Sequence, residues 1–188
     1  VPVTWFSLGA GTSITPEYYD CTTIYLGGEG NGRFLLGADG QEVSVKPGEL
    51  LYVPPKTLCG TKTDNGMIYT EIILKKENFT MNNIIKAALH TELKELISYE
   101  EGSIANLDIA HADNMKFVLM AFDEGTGLTP HRAPGNAILT ALEGKAIIGY
   151  EGKDYELNAG ESFRFDKNGL HSVTAQGKFK MSLLLVIE

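Results

Sequence analysis

Residues 125–135 read GTGLTPHRAPG, and a closely similar phrase, GTSITPE, stands at residues 11–17. The shared glycine, threonine and proline positions lie 114 residues apart. Further matches follow at an offset of 112 residues, which requires one small insertion that we place in the glycine-rich run 27–32. Such collinear matches at about half of the chain length predict that the chain folds as two copies of one unit. The matches at the second offset join Gly32, Gly37, Gly40, Gly48, Glu49 and Leu58 to Gly144, Gly149, Gly152, Gly160, Glu161 and Leu170.

Both copies are rich in branched and aromatic residues between short turn signals such as Ala38-Asp39-Gly40 and Glu151-Gly152. Short strands at regular spacing with glycine turns predict an all-β barrel or sandwich. A β-sandwich without a barrel cavity stays open as the alternative. The predicted strands are Tyr18–Leu26, Arg33–Leu36, Leu50–Val53, Met67–Leu74, Ile104–Ala110, Met115–Phe122, Ile138–Leu142, Ala146–Tyr150, Ser162–Phe165 and Phe179–Ile187.

The region between the two copies differs in character. Its apolar residues recur at helical spacing, and Thr91 is a suitable N-cap, so the pattern predicts a short helix. The residues on the predicted apolar face are Leu89, Leu93, Leu96 and Ile97. We therefore predict three parts: a first domain at residues 1–76, a connecting segment with the short helix at 77–103, and a second domain at 104–188.

Charge and cysteine content narrow the classes of partner. The formal net charge of the 188 residues is −8, which repels nucleic-acid phosphates and anionic membrane surfaces. Neither partner is expected. The two cysteines, Cys21 and Cys59, are too few for a disulfide scaffold, so a cytoplasmic, reducing location is the default expectation. The chain begins at Val1 rather than Met, and whether residues upstream of it were removed stays open.

The spacing around two histidines resembles the motifs of the cupin superfamily. The first motif runs Gly, five residues, His, one residue, His, three or four residues, Glu, six residues and Gly; Gly125, His131 and Gly144 match it. The second runs Gly, five residues, Pro, one residue, Gly, two residues, His, three residues and Asn; Gly160 and His171 match it. With the repeat, the chain resembles a two-domain cupin (a bicupin). The HRAPGNA run is similar to small bacterial cupins of unassigned activity.

This resemblance implies two cupin barrels, each a double-stranded β-helix or jelly roll, often assembled as a homodimer. Metal-binding cupins use three histidines and a glutamate, but the second histidine and glutamate positions hold Ala133 and Ala137. In the first copy the ligand positions hold Glu17, Tyr19 and Cys59. The resemblance therefore implies that the first barrel is degenerate and serves packing or dimerisation, whereas the second carries the candidate site.

Three interpretations of the His131 and His171 pair stay open. The pair can hold a divalent metal (Zn, Fe, Mn or Ni), with Asn136 as a third ligand and water or a bound carboxylate completing the shell. It can perform metal-free acid–base chemistry or binding near neutral pH. It can also belong to a pocket for a partly apolar small molecule, lined by Met120, Phe165 and Met181. For each of these three residues taken individually, filling the core is the favoured role.

The expected function is small-molecule binding in the second barrel. If the barrel is also catalytic, the expected activity is that of a metal-dependent enzyme acting on a polar metabolite, such as a sugar or an organic acid. The alternative is a metal-free ligand-binding barrel or a structural, dimerising barrel without catalysis. Whether the protein is an enzyme therefore stays open, because this fold hosts many chemistries.

Overall fold

The computed structural model describes residues 1–74 and 79–187, and within them almost all regular structure is β. The chain divides into two compact units. The first is Val1–Phe79 with Asn83–Glu92, and the second is Thr80–Asn82 with Leu93–Glu188. The predicted domain boundary between residues 76 and 77 lies outside the described residues.

The strands are numbered in chain order. The first eight are β1 (Val3–Leu8), β2 (Ser13–Glu17), β3 (Thr22–Gly30), β4 (Gly32–Leu36), β5 (Gln41–Val45), β6 (Glu49–Val53), β7 (Cys59–Lys62) and β8 (Met67–Leu74). Three short elements follow: β9 (Thr80–Met81), β10 (His90–Glu92) and a 3₁₀ helix (Leu93–Leu96). The rest are β11 (Ile104–Ala112), β12 (Met115–Phe122), β13 (Gly127–Arg132), β14 (Gly135–Glu143), β15 (Lys145–Tyr150), β16 (Lys153–Asn158), β17 (Ser162–Phe165), β18 (Leu170–Ala175) and β19 (Phe179–Ile187).

The two units repeat one arrangement of antiparallel sheets. The first unit has sheets β1-β8-β3-β6-β10 and β2-β7-β4-β5, and the second has β17-β14-β19-β12-β11-β9 and β13-β18-β15-β16. Eight strands of each unit therefore occupy equivalent places. A shift of register between Ile14 and Glu17 in β2 recurs between Leu128 and His131 in β13. The predicted all-β fold is confirmed.

The insertion that distinguishes the two copies lies in a hairpin. Residues 37–40 join β4 to β5, whereas residues 151–152 join the equivalent strands β15 and β16. The predicted insertion in the preceding glycine-rich run is therefore wrong, because recurring glycines alone cannot set the register. Gly30, rather than Gly32, corresponds to Gly144: both have positive φ, 70° and 74°, at the same turn.

Each unit has its own apolar core between its two sheets. Alternate residues of β14, namely Ala137, Leu139 and Ala141, are buried, as expected for a strand with one face inward. Phe34 in the first unit and Phe179 in the second are fully buried. Burying a large apolar side chain contributes about 1.5–3 kcal/mol, so these inward faces stabilise each unit.

The predicted short helix is reduced to the single 3₁₀ turn at Leu93–Leu96. The flanking chain is used in sheets, because β9 pairs with β11 and β10 pairs with β6. Backbone groups bonded in these ladders are not free for helical bonds. Leu93 and Ile97 are buried as expected, but Leu89 is 54% exposed. Within residues 1–74 and 79–187, no helix has the length and apolar character needed to cross a membrane.

Candidate functional site

His131 on β13 and His171 on β18 are directly opposite each other in the ladder that joins these strands. Their ring centroids are 4.3 Å apart and their planes are inclined by 55°. The two histidines are far apart in the sequence, but antiparallel pairing of β13 with β18 brings their side chains together on the same face of the sheet. The structure brings together the two histidines that sequence analysis selected.

The hydrogen bonds of the two imidazoles define their tautomers. His131 Nδ1 lies 2.8 Å from the Thr129 carbonyl oxygen, and His171 Nδ1 lies 2.8 Å from the Gly169 carbonyl oxygen. A carbonyl oxygen only accepts, so each Nδ1 carries the hydrogen and donates it. In the neutral ring, Nε2 is then an acceptor with a free lone pair. Both rings present the same acceptor atom.

The two histidines differ in their surroundings. His131 is exposed, whereas His171 is 7% exposed and stacks on Phe165, with ring centroids 4.2 Å apart and planes inclined by 22°. Burial lowers the pKa of His171, the Gly169 carbonyl acts against this, and nearby His131 lowers it further. His171 is therefore neutral at pH 7, because its usual pKa is already about 6.5.

Tyr150 is a further residue of this site that sequence analysis missed. It is paired with His171 in the ladder between β15 and β18, and its ring lies 5.8 Å from the ring of Phe165. Its hydroxyl donates to the Asp166 carboxylate at 3.3 Å. Asp166 also forms an ion pair with Arg164 at 3.0 Å. The register between β15 and β18 places Tyr150 beside His171, and this register cannot be predicted from a local sequence pattern.

The other predicted site residues lie around the pair in different ways. Asn136 alternates with the inward-facing Ala137 along β14, and its Oδ1 accepts a hydrogen bond from the Lys167 amide at 3.1 Å. Met120 and Met181 are 7% and 1% exposed and belong to the apolar core together with Phe165. Among the three predicted pocket residues, Phe165 forms the ring contact with the histidine pair.

The donor set around the pair differs from the ligand set that metal-binding cupins use. Ala137 is buried where that resemblance expects a glutamate, and Ala133 is half-buried at the second histidine position. Over residues 1–74 and 79–187, no three side chains of His, Cys, Asp or Glu form a group able to hold a metal ion. Among the described residues, the pair itself offers two Nε2 atoms, which is one ligand fewer than an open catalytic zinc site uses.

Comparison with known proteins identifies the fold. Residues 118–187 match a family model described as a cupin domain. The chain is similar to a cupin 2 conserved barrel domain protein from Leptotrichia buccalis, with a TM-score of 0.83 and 26% identity. That alignment covers 98% of this chain and 82% of the other. No curated protein sequence matches the chain significantly.

More distant structures share the fold alone. A salicylate 1,2-dioxygenase from Pseudaminobacter salicylatoxidans aligns with a TM-score of 0.71 and 12% identity, over 98% of this chain and 70% of that one. A conserved protein of unknown function from Streptococcus pyogenes aligns with a TM-score of 0.54 and 22% identity, over 58% of this chain and 96% of that one. The shared architecture thus extends over proteins of differing description.

Proposed function

The chain is a member of the cupin superfamily, and we propose that its second unit binds a small, hydroxyl-bearing polar metabolite, such as a sugar or a hydroxy acid, at His131 and His171. The observation that carries this proposal is the shared tautomer of the two rings. Both Nδ1 atoms donate to carbonyl oxygens of their own strands or of the turns that lead into them, so both Nε2 atoms are acceptors.

Hydroxyl groups are the donors that such a pair of acceptors selects. An Nε2 lone pair accepts from an O–H group, and a buried, neutral His171 does so without gaining charge. Phe165 supports the His171 ring through a stacked contact. Arg132, next in the chain to His131, is exposed and donates to the Asn168 carbonyl oxygen. This guanidinium also pairs with the Glu151 carboxylate at 3.6 Å, and adjacent residues of a strand point to opposite faces of a sheet, so it is not part of the histidine pair's binding surface.

A divalent metal ion is the second candidate ligand, favoured by the same Nε2 lone pairs. Histidines that ligate metals commonly donate their other ring nitrogen to a backbone carbonyl, as both of these rings do. The described residues around the pair supply too few donors for a tightly held ion, because Asn136 is bonded to the Lys167 amide and no carboxylate stands at the Ala137 position. A metal would therefore bind weakly and take its remaining ligands from water or the metabolite.

The cupin fold does not by itself indicate whether the protein is an enzyme. The dioxygenase comparison rests on 12% identity, and unrelated chemistries share this architecture. A structural or dimerising barrel without any ligand is the remaining alternative, and it differs from the proposal in requiring no function of the Nε2 atoms.

One NMR experiment tests both the tautomers of the two histidines and the binding of a ligand. Metal-stripped protein with ¹⁵N-labelled histidine is expected to show the Nδ1–H tautomer at His131 and His171. Titration with a panel of sugars and hydroxy acids at millimolar concentration is then expected to shift both imidazoles for at least one compound. His90, which is exposed in the first unit, is the internal control.

Variants separate the outcomes of this titration. His131→Ala and His171→Ala should each abolish the binding of that compound, whereas His90→Ala should retain it. A titration that needs added Zn²⁺ would favour the metal candidate instead. The proposal is overturned if the Nε2–H tautomer predominates, or if no compound of the panel affects either ring.

A further inference from the structure

The first unit contains a cavity of about 170 Å³ that is lined by residues of both of its sheets. Glu17 and Cys59 form a direct cross-strand pair at its edge, at the place equivalent to the histidine pair of the second unit. The first unit is therefore not a filled copy in which the site has simply been lost. Its cavity has a different set of polar groups.

Glu71 is the most unusual of these groups, because it is a carboxylate that is only 6% exposed. Burial raises the pKa of Glu71, whereas hydrogen bonds from the hydroxyls of Tyr25 and Tyr19 lower it and the charge of Glu17 raises it. The two hydroxyls act as donors that favour the ionised carboxylate. Burial outweighs these contributions and keeps the pKa of Glu71 above its usual value, so a cation bound beside this cavity-lining carboxyl would favour its ionised form.

The positive charge that would balance this carboxylate is missing from the cavity wall. The ten residues that line it include Glu17 and Glu71 but no lysine, arginine or histidine. A buried charge without an opposite charge is costly, and this cost falls when a cation binds beside it. The wall is therefore complementary to a cation and repels an anion.

A second polar group points to the same cavity. Thr61 is 3% exposed, and its hydroxyl oxygen has no hydrogen-bond partner among the described residues. It lines the cavity beside the Tyr69 hydroxyl, which is close enough for Thr61 to lower the pKa of Tyr69 but outside hydrogen-bonding geometry. A buried hydroxyl left unpaired is destabilising, and a ligand with an N–H group would supply the missing hydrogen bond.

Aromatic rings form much of the remaining wall. Phe6 and Tyr69 are stacked with centroids 4.9 Å apart, and Tyr25 meets Tyr69 edge to face at 5.8 Å. The faces of such rings attract a cation through their quadrupole, and most strongly where water is excluded. The aromatic character of this wall favours an organic cation with an apolar body.

We infer that this cavity binds a small primary ammonium cation, with its nitrogen between the Glu71 carboxylate and the Thr61 hydroxyl and its alkyl body against the aromatic wall. Primary ammonium carries three N–H donors, and the wall offers acceptors for them. A volume near 170 Å³ is about six times the share of one water molecule, which suits a ligand of five or six non-hydrogen atoms. A metal ion fits less well, because Glu17, Cys59 and Glu71 do not form a metal-holding group.

The probe for this inference is n-butylammonium, which has the required charge, N–H groups and size. Isothermal titration calorimetry of the full chain is expected to give saturable binding of one equivalent. Neutral n-butanol should bind at least about tenfold more weakly, because it lacks the charge that pairs with Glu71. Tetramethylammonium, which has no N–H group, should also be weaker, and butyrate should not bind.

Variants test the named contacts. Glu71→Gln keeps the shape of the side chain and should weaken n-butylammonium binding at least about tenfold. Thr61→Val, which keeps the volume but removes the hydroxyl, should weaken binding by a factor of about three to ten. Glu29→Gln, a change at an exposed carboxylate of the same unit, and His171→Ala in the second unit should leave binding unchanged.

Each contrary result has a defined meaning. Equal binding of n-butanol would show an apolar cavity without charge recognition, and Zn²⁺ binding that is lost in Glu71→Gln would show a metal site. Either result overturns the inference, as does unchanged n-butylammonium binding in a folded Glu71→Gln variant or no binding to the native chain. Since His171→Ala affects the second unit, failure here is distinguishable from failure of the proposed function.

Discussion

Replacing Phe165 by leucine is expected to weaken both the second core and the environment of its histidine. Phe165 is 1% exposed, and its ring lies 4.2 Å from that of His171 and 5.2 Å from that of Phe163. Loss of ring–ring contacts costs about 0.5–1.5 kcal/mol beyond burial. The shorter side chain also leaves roughly one methylene group's burial, about 0.8 kcal/mol, unrecovered. The free energy of unfolding should therefore fall by about 1–2 kcal/mol, whereas Phe165→Ala should cost about 3–5 kcal/mol.

Urea unfolding followed by circular dichroism measures the first effect, and NMR titration of the His171 ring measures the second. The pKa of His171 should rise towards its usual value of about 6.5 in Phe165→Leu, because burial is the main cause of its lowering. Phe163→Leu is the matched control, since its ring contacts are with Tyr150, Tyr155 and Phe165. Equal changes in the His171 titration for both variants would refute the assignment of the stacked contact.

Three further outcomes are expected in urea unfolding. Because the pKa of His171 is lowered in the folded state, the unfolded state binds more protons below about pH 6.5. The unfolding free energy should therefore decrease as the pH falls from about 6.5 to the pKa of the folded state. The variant His171→Ala should lack this pH dependence. Gly144→Ala should strongly destabilise the protein, because φ is 74° and an added Cβ would clash with the Lys178 carbonyl oxygen. Its control is Gly152→Ala, where φ is 81° but the space is open. That variant should lower the unfolding free energy by only about 1–2 kcal/mol. Lys180→Met should cost about 1–3 kcal/mol, because the buried amine donates to the Lys94 carbonyl at 2.8 Å; equal stability would contradict that role.

The sequence was most informative where local pattern and burial coincide. The predicted strands Met67–Leu74, Met115–Phe122, Ser162–Phe165 and Phe179–Ile187 agree with the observed bounds, because branched and aromatic runs bounded by turn residues specify strands locally. The pattern failed at Leu89, which a helical period placed on an apolar face. That segment is held by pairing of β10 with β6, and tertiary pairing overrides a weak local preference.

The candidate site was predictable in part. The motif spacing selected His131 and His171, and β-sheet register then places their rings 4.3 Å apart. Tyr150 was missed because its position beside His171 depends on the register between β15 and β18. The cavity of the first unit was missed for a related reason. Its wall combines Glu17, which the repeat placed at a ligand position, with Glu71 and Thr61 from other strands, and neither of these two belongs to a motif.

The sequence by itself determined the all-β class, the recurrence of one unit and the two histidines of the second copy, since periodicity, turn residues and motif spacing are local properties of the chain. Only the tertiary structure decided which ring nitrogens of these histidines are free and which residues surround them. It also decided that the first copy encloses a carboxylate-lined cavity. Register, burial and hydrogen-bond direction arise from contacts between distant strands, and a one-dimensional pattern does not contain them.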